Sequence, residues 1–183
     1  MEYFSVIDGR RSVRKFKQQA VEQKKTDRIM AAALRAPTSL GSRCWEFVVV
    51  DRPALLEQLA TAKPSGGGFL KKAPLAIVVC LDPAKAGPWI EDGAIAAVFI
   101  QLAAQALGLG SCWVHFRDKT YREGQSSRER IAEILGLPAH LEVQCAIALG
   151  YADQQTEPYA SDSLPEEKIS YNRYGAPYIM REP

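Results

Sequence analysis

WIEDGAIAAVFIQLAAQALGLGSCWVHF, residues 89–116, contains the segment that decides the fold. Residues 89–107 predict a helix with apolar side chains on nearly every side, and Gly108 is a common helix stop. A helix without a polar face has to be buried on every side. The helix is therefore either the centre of the domain or packed against a second copy of the chain. Since two-fold dimers are the commonest assemblies, the pattern is consistent with a homodimer.

Working outward, helices and strands roughly alternate along the chain. Helices are predicted over residues 2–8, 22–35, 53–62 and 89–107, and from a capping box at Ser126 and Glu129 through Leu135. Apolar runs predict buried strands at residues 46–50, 74–81, 111–116 and 143–150. Such alternation by itself favours a parallel α/β sheet. The last thirty residues are polar, rich in tyrosine and irregular.

Composition narrows the class of protein. The chain has 183 residues, 47% of them hydrophobic, and a net charge of +2, which predicts one domain, 1–183, with a buried core. The near-neutral balance excludes a general polyanion binder, so any anion site is local. Four cysteines without a CxxC pair favour buried thiols over a metal site. With no signal-peptide pattern and no confident membrane span, we expect a cytoplasmic protein.

A second informative stretch, RRSVRKF at residues 10–16, places four cations in seven residues. Arginine binds phosphate through bidentate hydrogen bonds, and serine adds a neutral donor. Arg10, Arg11 and Ser12 can therefore converge on one phosphate, and Arg14 can reach farther along the same ligand. The alternative is a solvated basic patch or a nucleic-acid arm, which composition alone favours.

The stretch APTSLGSRCWEF, from residue 36, puts small residues ahead of a buried strand. A loop of this kind lets the backbone approach a ligand closely and offers amides and hydroxyls as partners. It lacks the GxGxxG and GxxxxGK[ST] patterns of phosphate loops. An ordinary connection between a helix and a strand is the alternative.

In this order RRSVRKF, APTSLGSRCWEF, DGAIAAVFIQLAAQALGLGSCWV and ALGYAD resemble the nitroreductase family of flavin enzymes, over residues 3 to about 153. The resemblance implies an α+β fold with a mostly antiparallel central sheet flanked by helices, in place of a parallel one. It also implies a homodimer with two FMN molecules at the interface, each touched by both chains. The tail, about residues 155–183, is expected to be irregular or to extend over the partner.

The resemblance also assigns residues to the phosphate end of the cofactor. Arg10, Arg11 and Ser12 would hold the phosphate and ribityl chain of FMN, and Arg14 would reach the pyrimidine edge of the ring. Many family members add a basic pair near the C-terminus. Here serines stand in the matching stretch SDSLPEEK, and Arg173 could take the place of that pair.

Around the flavin ring, the resemblance implies contacts from both subunits. Pro37, Thr38, Ser39 and Gly41 would line the ring from the other subunit, with Gly41 where many members have Asn. The backbone of His115 and Phe116 would lie near flavin N5 and O4, with an N–H aimed at N5.

The resemblance therefore implies an FMN-dependent oxidoreductase. NADH or NADPH would pass hydride to flavin N5, and a small-molecule acceptor such as a nitroaromatic or quinone would then take the electrons in a ping-pong cycle. A protonated His115 could donate a proton, but water can supply it, so no catalytic side chain is assigned. The alternatives are a specialised member such as a dehalogenase or dehydrogenase, a non-catalytic flavin store or sensor, and a nucleic-acid binder.

Overall fold

The computed structural model describes residues 2–180. The helices are α1 (Tyr3–Gly9), α2 (Gln23–Ala33), α3 (Pro53–Ala60), α4 (Trp89–Ala106) and α5 (Ser127–Leu135). The strands are β1 (Trp45–Val50), β2 (Leu75–Leu81), β3 (Gly110–His115), β4 (Thr120–Arg122), β5 (Gln125–Ser126) and β6 (Glu142–Gly150). The predicted elements are present within one or two residues of their predicted bounds. The short β4–β5 hairpin was not predicted, because its polar sequence carries no apolar alternation.

The main sheet has the strand order β1–β2–β6–β3, and each neighbouring pair is antiparallel. Val78 of β2, for example, lies opposite Val48 of β1 and Ala146 of β6. The antiparallel prediction is confirmed, and the parallel sheet suggested by simple alternation is wrong. Alternation is misleading because a helix between two strands can return the chain to the sheet in either direction.

Helices cover both faces of this sheet. On one face α3 and α5 pack against side chains such as Val78 and Ala146. On the other face α2 and α4 pack against side chains such as Ile77 and Ile147. Because both faces are covered, the two central strands, β2 and β6, are buried along almost their whole length and read as continuous apolar runs.

Helix α4 is an outer layer and not the centre of the domain. Its inner residues Ala97, Ile100 and Ala104 are fully buried, whereas Ile95 and Val98 on its outer side are 37% and 46% exposed. The expectation of burial on every side is therefore not met within one chain. An apolar stripe on an outer helix face marks a surface that a further partner can cover.

The tail after residue 156 is irregular and exposed through residue 175. Between residues 160 and 180, the hydrogen bonds in the described part of the chain join tail residues to one another. Ser170 and Pro177, for example, form an antiparallel β-bridge. Large apolar side chains are exposed along it, including Tyr171, Tyr174 and Ile179. Within residues 2–180 no helix is both long and apolar enough to cross a membrane.

Candidate functional site

Residues 10–16, here called the basic arm, lie along the outer edge of β3. Ser12 forms a parallel bridge with Ser111, and the Val13 N–H donates to the Ser111 carbonyl at 2.9 Å. Val13 and Phe16 are each 5% exposed and belong to the core. The arm is therefore built into the domain, with its apolar residues inside and its cations outside.

Arg10, Ser12 and Arg14 lie at alternate positions of the arm, and all three act on the buried thiol of Cys112. Burial raises the pKa of Cys112, whereas Arg14, the Ser12 hydroxyl and Arg10 act to lower it. An extended chain places every second side chain on one side, which accounts for this grouping. In the described chain, neither arginine forms an ion pair with a carboxylate. Cations brought together without a carboxylate fit an anionic ligand such as a phosphate.

Arg11 points to the tail instead of this cluster. Its guanidinium carbon lies 4.2 Å from the centre of the Tyr159 ring, and a guanidinium N–H donates to the Glu157 carbonyl. Stacking of a guanidinium on an aromatic face is a favourable cation–π contact. The structure thus separates Arg11 from the other predicted phosphate ligands.

The chain between β6 and the tail also holds the backbone of the basic arm. The Gln154 side-chain oxygen Oε1 accepts from the backbone N–H groups of Arg14 at 2.9 Å and Lys15 at 2.8 Å. On the other side of the arm, the Arg14 guanidinium lies 6.0 Å from the centre of the Phe69 ring. The position of Arg14 is therefore set by groups more than fifty residues away in sequence.

The outer edge of β3 continues beyond the arm. Since the Ser111 carbonyl faces the arm, alternation along the strand puts the backbone N–H and carbonyl of His115 on the same edge. The His115 carbonyl accepts from Lys63 Nζ at 3.1 Å. The Phe116 N–H turns inward and donates to the Gln144 carbonyl at 3.2 Å. The His115 N–H is therefore the predicted backbone donor that lies at the open edge of β3, whereas the Phe116 N–H does not.

The His115 imidazole lies among cations. It stacks on Trp113, with ring centroids 6.3 Å apart and an interplanar angle of 18°. Burial lowers the pKa of His115, and three neighbouring cations lower it further. These cations are Arg117, Lys119 and Lys63. The imidazole is therefore neutral at pH 7, which disfavours a role as a proton donor.

The second group of predicted ligands, the loop 37–43, is anchored to the start of α4. The Ser39 N–H donates to Asp92 Oδ1 at 2.9 Å, and Ser42 Oγ and Cys44 Sγ each lie 3.4 Å from Asp92 Oδ2. Asp92 is 3% exposed. A buried carboxylate is stable only where hydrogen bonds replace its lost water.

The loop itself has a sharply turned backbone. Gly41 has a φ of +68°, which glycine adopts without strain, and its neighbours Leu40 and Arg43 have φ values of +52° and +48°. Thr38 Oγ1 accepts from the Arg43 N–H at 3.0 Å. The predicted small-residue loop is therefore a compact turn, with Pro37 exposed and Thr38 and Ser39 half-buried.

The two groups of predicted ligands lie at opposite ends of α4. Asp92, near the start of the helix, holds the loop 37–43. At the other end, a Cβ built on Gly9, just before the arm, would lie 3.0 Å from Gln105 Nε2. At a rise of 1.5 Å per residue, Asp92 and Gln105 are about 20 Å apart. A single chain therefore does not bring the loop and the basic arm together.

Arg173 lies apart from both groups. It is exposed in the tail, and its backbone N–H donates to the Tyr171 carbonyl at 2.7 Å. A cavity of about 330 Å³ between residues 18–26 and 71–75 also lies apart, since none of the predicted ligands lines it. The sequence-predicted residues thus form two separate half-sites in one chain, with Arg173 outside both.

Sequence reasoning missed Lys63, Phe69, Asp92 and Gln154. Asp92 carried a weak signal, as an acidic residue in an otherwise apolar helix, but acidic residues are normal in a first helical turn. Gln154 carried none, because its role depends on the chain after β6 returning to the arm across 140 residues.

Comparison with known proteins identifies the family. The model of the nitroreductase family matches residues 7–65 and 61–151. The chain therefore belongs to the nitroreductase family. A protein of Methanothermobacter thermautotrophicus, provisionally named an NADH dehydrogenase/NAD(P)H nitroreductase, is 32% identical over 177 residues, which cover 95% of this chain and 88% of that protein.

Solved structures of similar proteins point to the same family. An FMN-dependent nitroreductase from Clostridium difficile R20291 is 43% identical, with a TM-score of 0.91 over 93% of this chain and 99% of that chain. A nitroreductase with bound FMN from Desulfitobacterium hafniense DCB-2 is 25% identical, with a TM-score of 0.75 over 94% of this chain and 100% of that chain. The predicted family, the α+β fold with its antiparallel sheet and the oxidoreductase class are confirmed.

Proposed function

We propose that this protein is an FMN-dependent oxidoreductase that takes hydride from NADH or NADPH and reduces a small acceptor such as a nitroaromatic or quinone. The observation that carries the proposal is the group formed by Arg10, Ser12 and Arg14 at the edge of β3. These arginines have no carboxylate partner in the described chain. Relatives named as FMN-dependent and NAD(P)H-using support the same cofactors.

The residues present fit FMN. Arg10 and Ser12 would hold the phosphate and ribityl chain, and Arg14 would stand beside the ring, where a cation stabilises negative charge. Arg11, bound to the tail, would act mainly by fixing the arm.

FMN, when bound, would supply the redox chemistry that carries electrons from NADH or NADPH to a second substrate. The chain's part is to position it. The His115 N–H, on the open edge of β3, would orient the ring at N5. Because the His115 imidazole is held neutral, water and not this side chain would supply the proton.

A homodimer would complete the site. A two-fold axis across α4 brings the start of one helix close to the end of the other, which carries the loop 37–43 to the basic arm of its partner. The exposed Ile95 and Val98 give α4 the apolar outer face that such packing needs. The exposed tail would then lie over the second chain, and Arg173 would be a further phosphate contact.

The test begins with the absorbance spectrum of the purified protein, followed by reduction with each nicotinamide and turnover with menadione or a nitroaromatic. A yellow protein that oxidises NADH or NADPH supports the proposal. A yellow protein without turnover favours a flavin store. A colourless protein that refuses FMN and binds DNA or RNA in a salt-sensitive manner favours a nucleic-acid binder.

Arg10→Ala tests the phosphate site. We expect FMN affinity to fall about tenfold or more, since a hydrogen bond to a charged group is lost. Flavin retained on a desalting column and a fluorescence titration measure the effect. The control is Arg52→Ala, because Arg52 is exposed at the start of α3. Equal FMN retention in the two variants would contradict the assignment.

A further inference from the structure

Asp92 is a buried carboxylate whose hydrogen-bond donors all come from one short segment. The backbone N–H of Ser39, the hydroxyl of Ser42 and the thiol of Cys44 contact its two oxygens. In the described chain no Lys, Arg or His forms an ion pair with it. Its charge is therefore stabilised by these donors and by its place in the first turn of α4.

The shape of the loop 37–43 in turn depends on Asp92. Leu40 and Arg43 have positive φ values that side-chain-bearing residues rarely adopt, so the loop does not favour this shape by itself. Leu40 is fully exposed and contributes no packing. Inside the turn, the N–H groups of Gly41 and Ser42 donate to the Thr38 and Ser39 carbonyls at 3.1 and 3.0 Å, and Thr38 Oγ1 accepts from the Arg43 N–H. The bonds to Asp92 add to these and fix the turn against the start of α4.

The thiol of Cys44 reports on this closed state. Cys44 is 0% exposed and lies 3.4 Å from Asp92 Oδ2. Burial raises the pKa of Cys44, and its hydrogen bond to Asp92 raises it further. The thiol is therefore protonated, donates to the carboxylate and is unreactive while the loop is closed.

We propose that Asp92 is a positioning residue that locks the loop 37–43 in the shape in which Pro37, Thr38 and Ser39 line the flavin of the neighbouring subunit. This inference rests on the proposed function, because it adds to that site a residue that does not touch the cofactor. Asp92 acts at a distance, through the Ser39 backbone and the Cys44 thiol.

The test compares Asp92→Ala and Asp92→Asn with Glu91→Gln as the control, since Glu91 is an exposed carboxylate in the same helical turn. Two quantities are measured on the FMN-loaded protein: the alkylation rate of Cys44, followed by mass spectrometry, and the dissociation rate of FMN. For Asp92→Ala we expect both to rise on the order of tenfold, because hydrogen bonds to a charged group are lost. Asp92→Asn keeps an oxygen for the Ser39 N–H and should restore most of both values.

The outcomes separate the inference from the proposed function. Faster Cys44 alkylation with unchanged FMN dissociation would overturn the inference, as would equal effects of Asp92→Ala and Asp92→Asn. A wild-type protein that binds no FMN would instead overturn the proposed function, while the alkylation rates would still test whether Asp92 locks the loop. If Asp92→Ala does not fold, Ser42→Ala removes one donor to Asp92 Oδ2 without changing Pro37, Thr38 or Ser39, and should raise both rates.

Discussion

Burial and the surrounding cations lower the pKa of the His115 imidazole, and the backbone of this residue lies on the open edge of β3. At the scale of single residues, the same distinction applies along the edge of β3. Ser12 and Ser111 pair through their backbones, and the carbonyl of His115 binds Lys63. We therefore expect substitutions that leave the backbone at this edge in place to reduce activity only slightly, and substitutions that displace it to reduce activity strongly.

His115→Gln tests the role of the imidazole. A general acid contributes on the order of 10²–10⁴-fold to a rate, so a change in kcat of less than about threefold would exclude that role. Because the wild-type ring is already neutral, we expect such a mild effect. Steady-state turnover with NADH or NADPH measures it, and a loss of a hundredfold or more would contradict the backbone role.

The lowered pKa of His115 also predicts a pH effect on stability. Burial, then Arg117, Lys119 and Lys63, lower this pKa, with Asp118 opposing them. The folded protein therefore binds the proton less readily than the unfolded chain does. Relative to His115→Gln, the wild-type free energy of unfolding should fall as the pH drops through the unfolded value of about 6.5, and level off below the folded pKa. Urea unfolding from pH 8 to pH 5 measures this, and a constant difference would refute it.

Gly110→Ala tests the close approach of the arm to β3. A Cβ on Gly110 would lie 2.7 Å from the Val13 Cβ, so either the arm or the strand has to move. We expect a stability loss of about 1–3 kcal/mol together with weaker FMN retention. Gly87→Ala is the control, because a Cβ there has no neighbour within 4 Å. Thermal unfolding measures the stability, and a fluorescence titration measures FMN binding. If Gly110→Ala behaves like the wild type in both, the arm is not tightly packed against β3.

At the scale of elements, the basic arm forms one unit with the chain that follows β6, including the start of the tail. Gln154 accepts two hydrogen bonds from the arm backbone, and Arg11 stacks on Tyr159. Because serines stand in the tail stretch SDSLPEEK, we expect phosphate binding in the proposed FMN site to depend mainly on the position of the arm.

Gln154→Ala should loosen this unit. Two backbone donors lose their acceptor, and we expect a loss of about 1–2 kcal/mol in unfolding free energy. Gln155→Ala is a matched control, since the neighbouring Gln155 is exposed. Urea unfolding and limited proteolysis of the arm measure the effect. If the two variants behave alike, the chain after β6 does not fix the arm.

At the scale of the whole molecule, the distance between the half-sites is the reason that we propose a dimer. About 20 Å of α4 separates the loop 37–43 from the arm in one chain. The helix has an apolar outer face, and the tail has exposed tyrosines that its own domain leaves uncovered. In the proposed dimer, a second copy of this chain would cover both features.

Val98→Glu should break the dimer, because it buries a charge in the proposed interface. Light scattering should give twice the chain mass of 20.2 kDa for wild type and the single-chain mass for the variant. FMN should be lost with the dimer, since each site needs both chains. Val49→Glu is the control, as Val49 is similarly exposed, at 43%, on β1. A wild-type mass of one chain at micromolar concentration would reject the dimer.

Much of the local structure was predictable from the sequence. The buried strands follow from runs of apolar residues such as LAIVVCL at residues 75–81. The capping box of α5 was predicted from Ser126 and Glu129, and the structure contains both of its hydrogen bonds. The antiparallel sheet was predicted correctly only through the family resemblance, because strand direction leaves no mark in the pattern of apolar residues.

The sequence by itself determined the five helices and the four long strands to within one or two residues, and the run of cations at residues 10–14. Those properties depend on neighbours within a few residues, and periodicity records them. Only the tertiary structure decided that Gln154 holds the arm, that Asp92 holds the loop, and that the two half-sites lie at opposite ends of α4. Such contacts join residues 140 positions apart in the case of Gln154 and Arg14. They depend on how the whole chain packs, which no local pattern specifies.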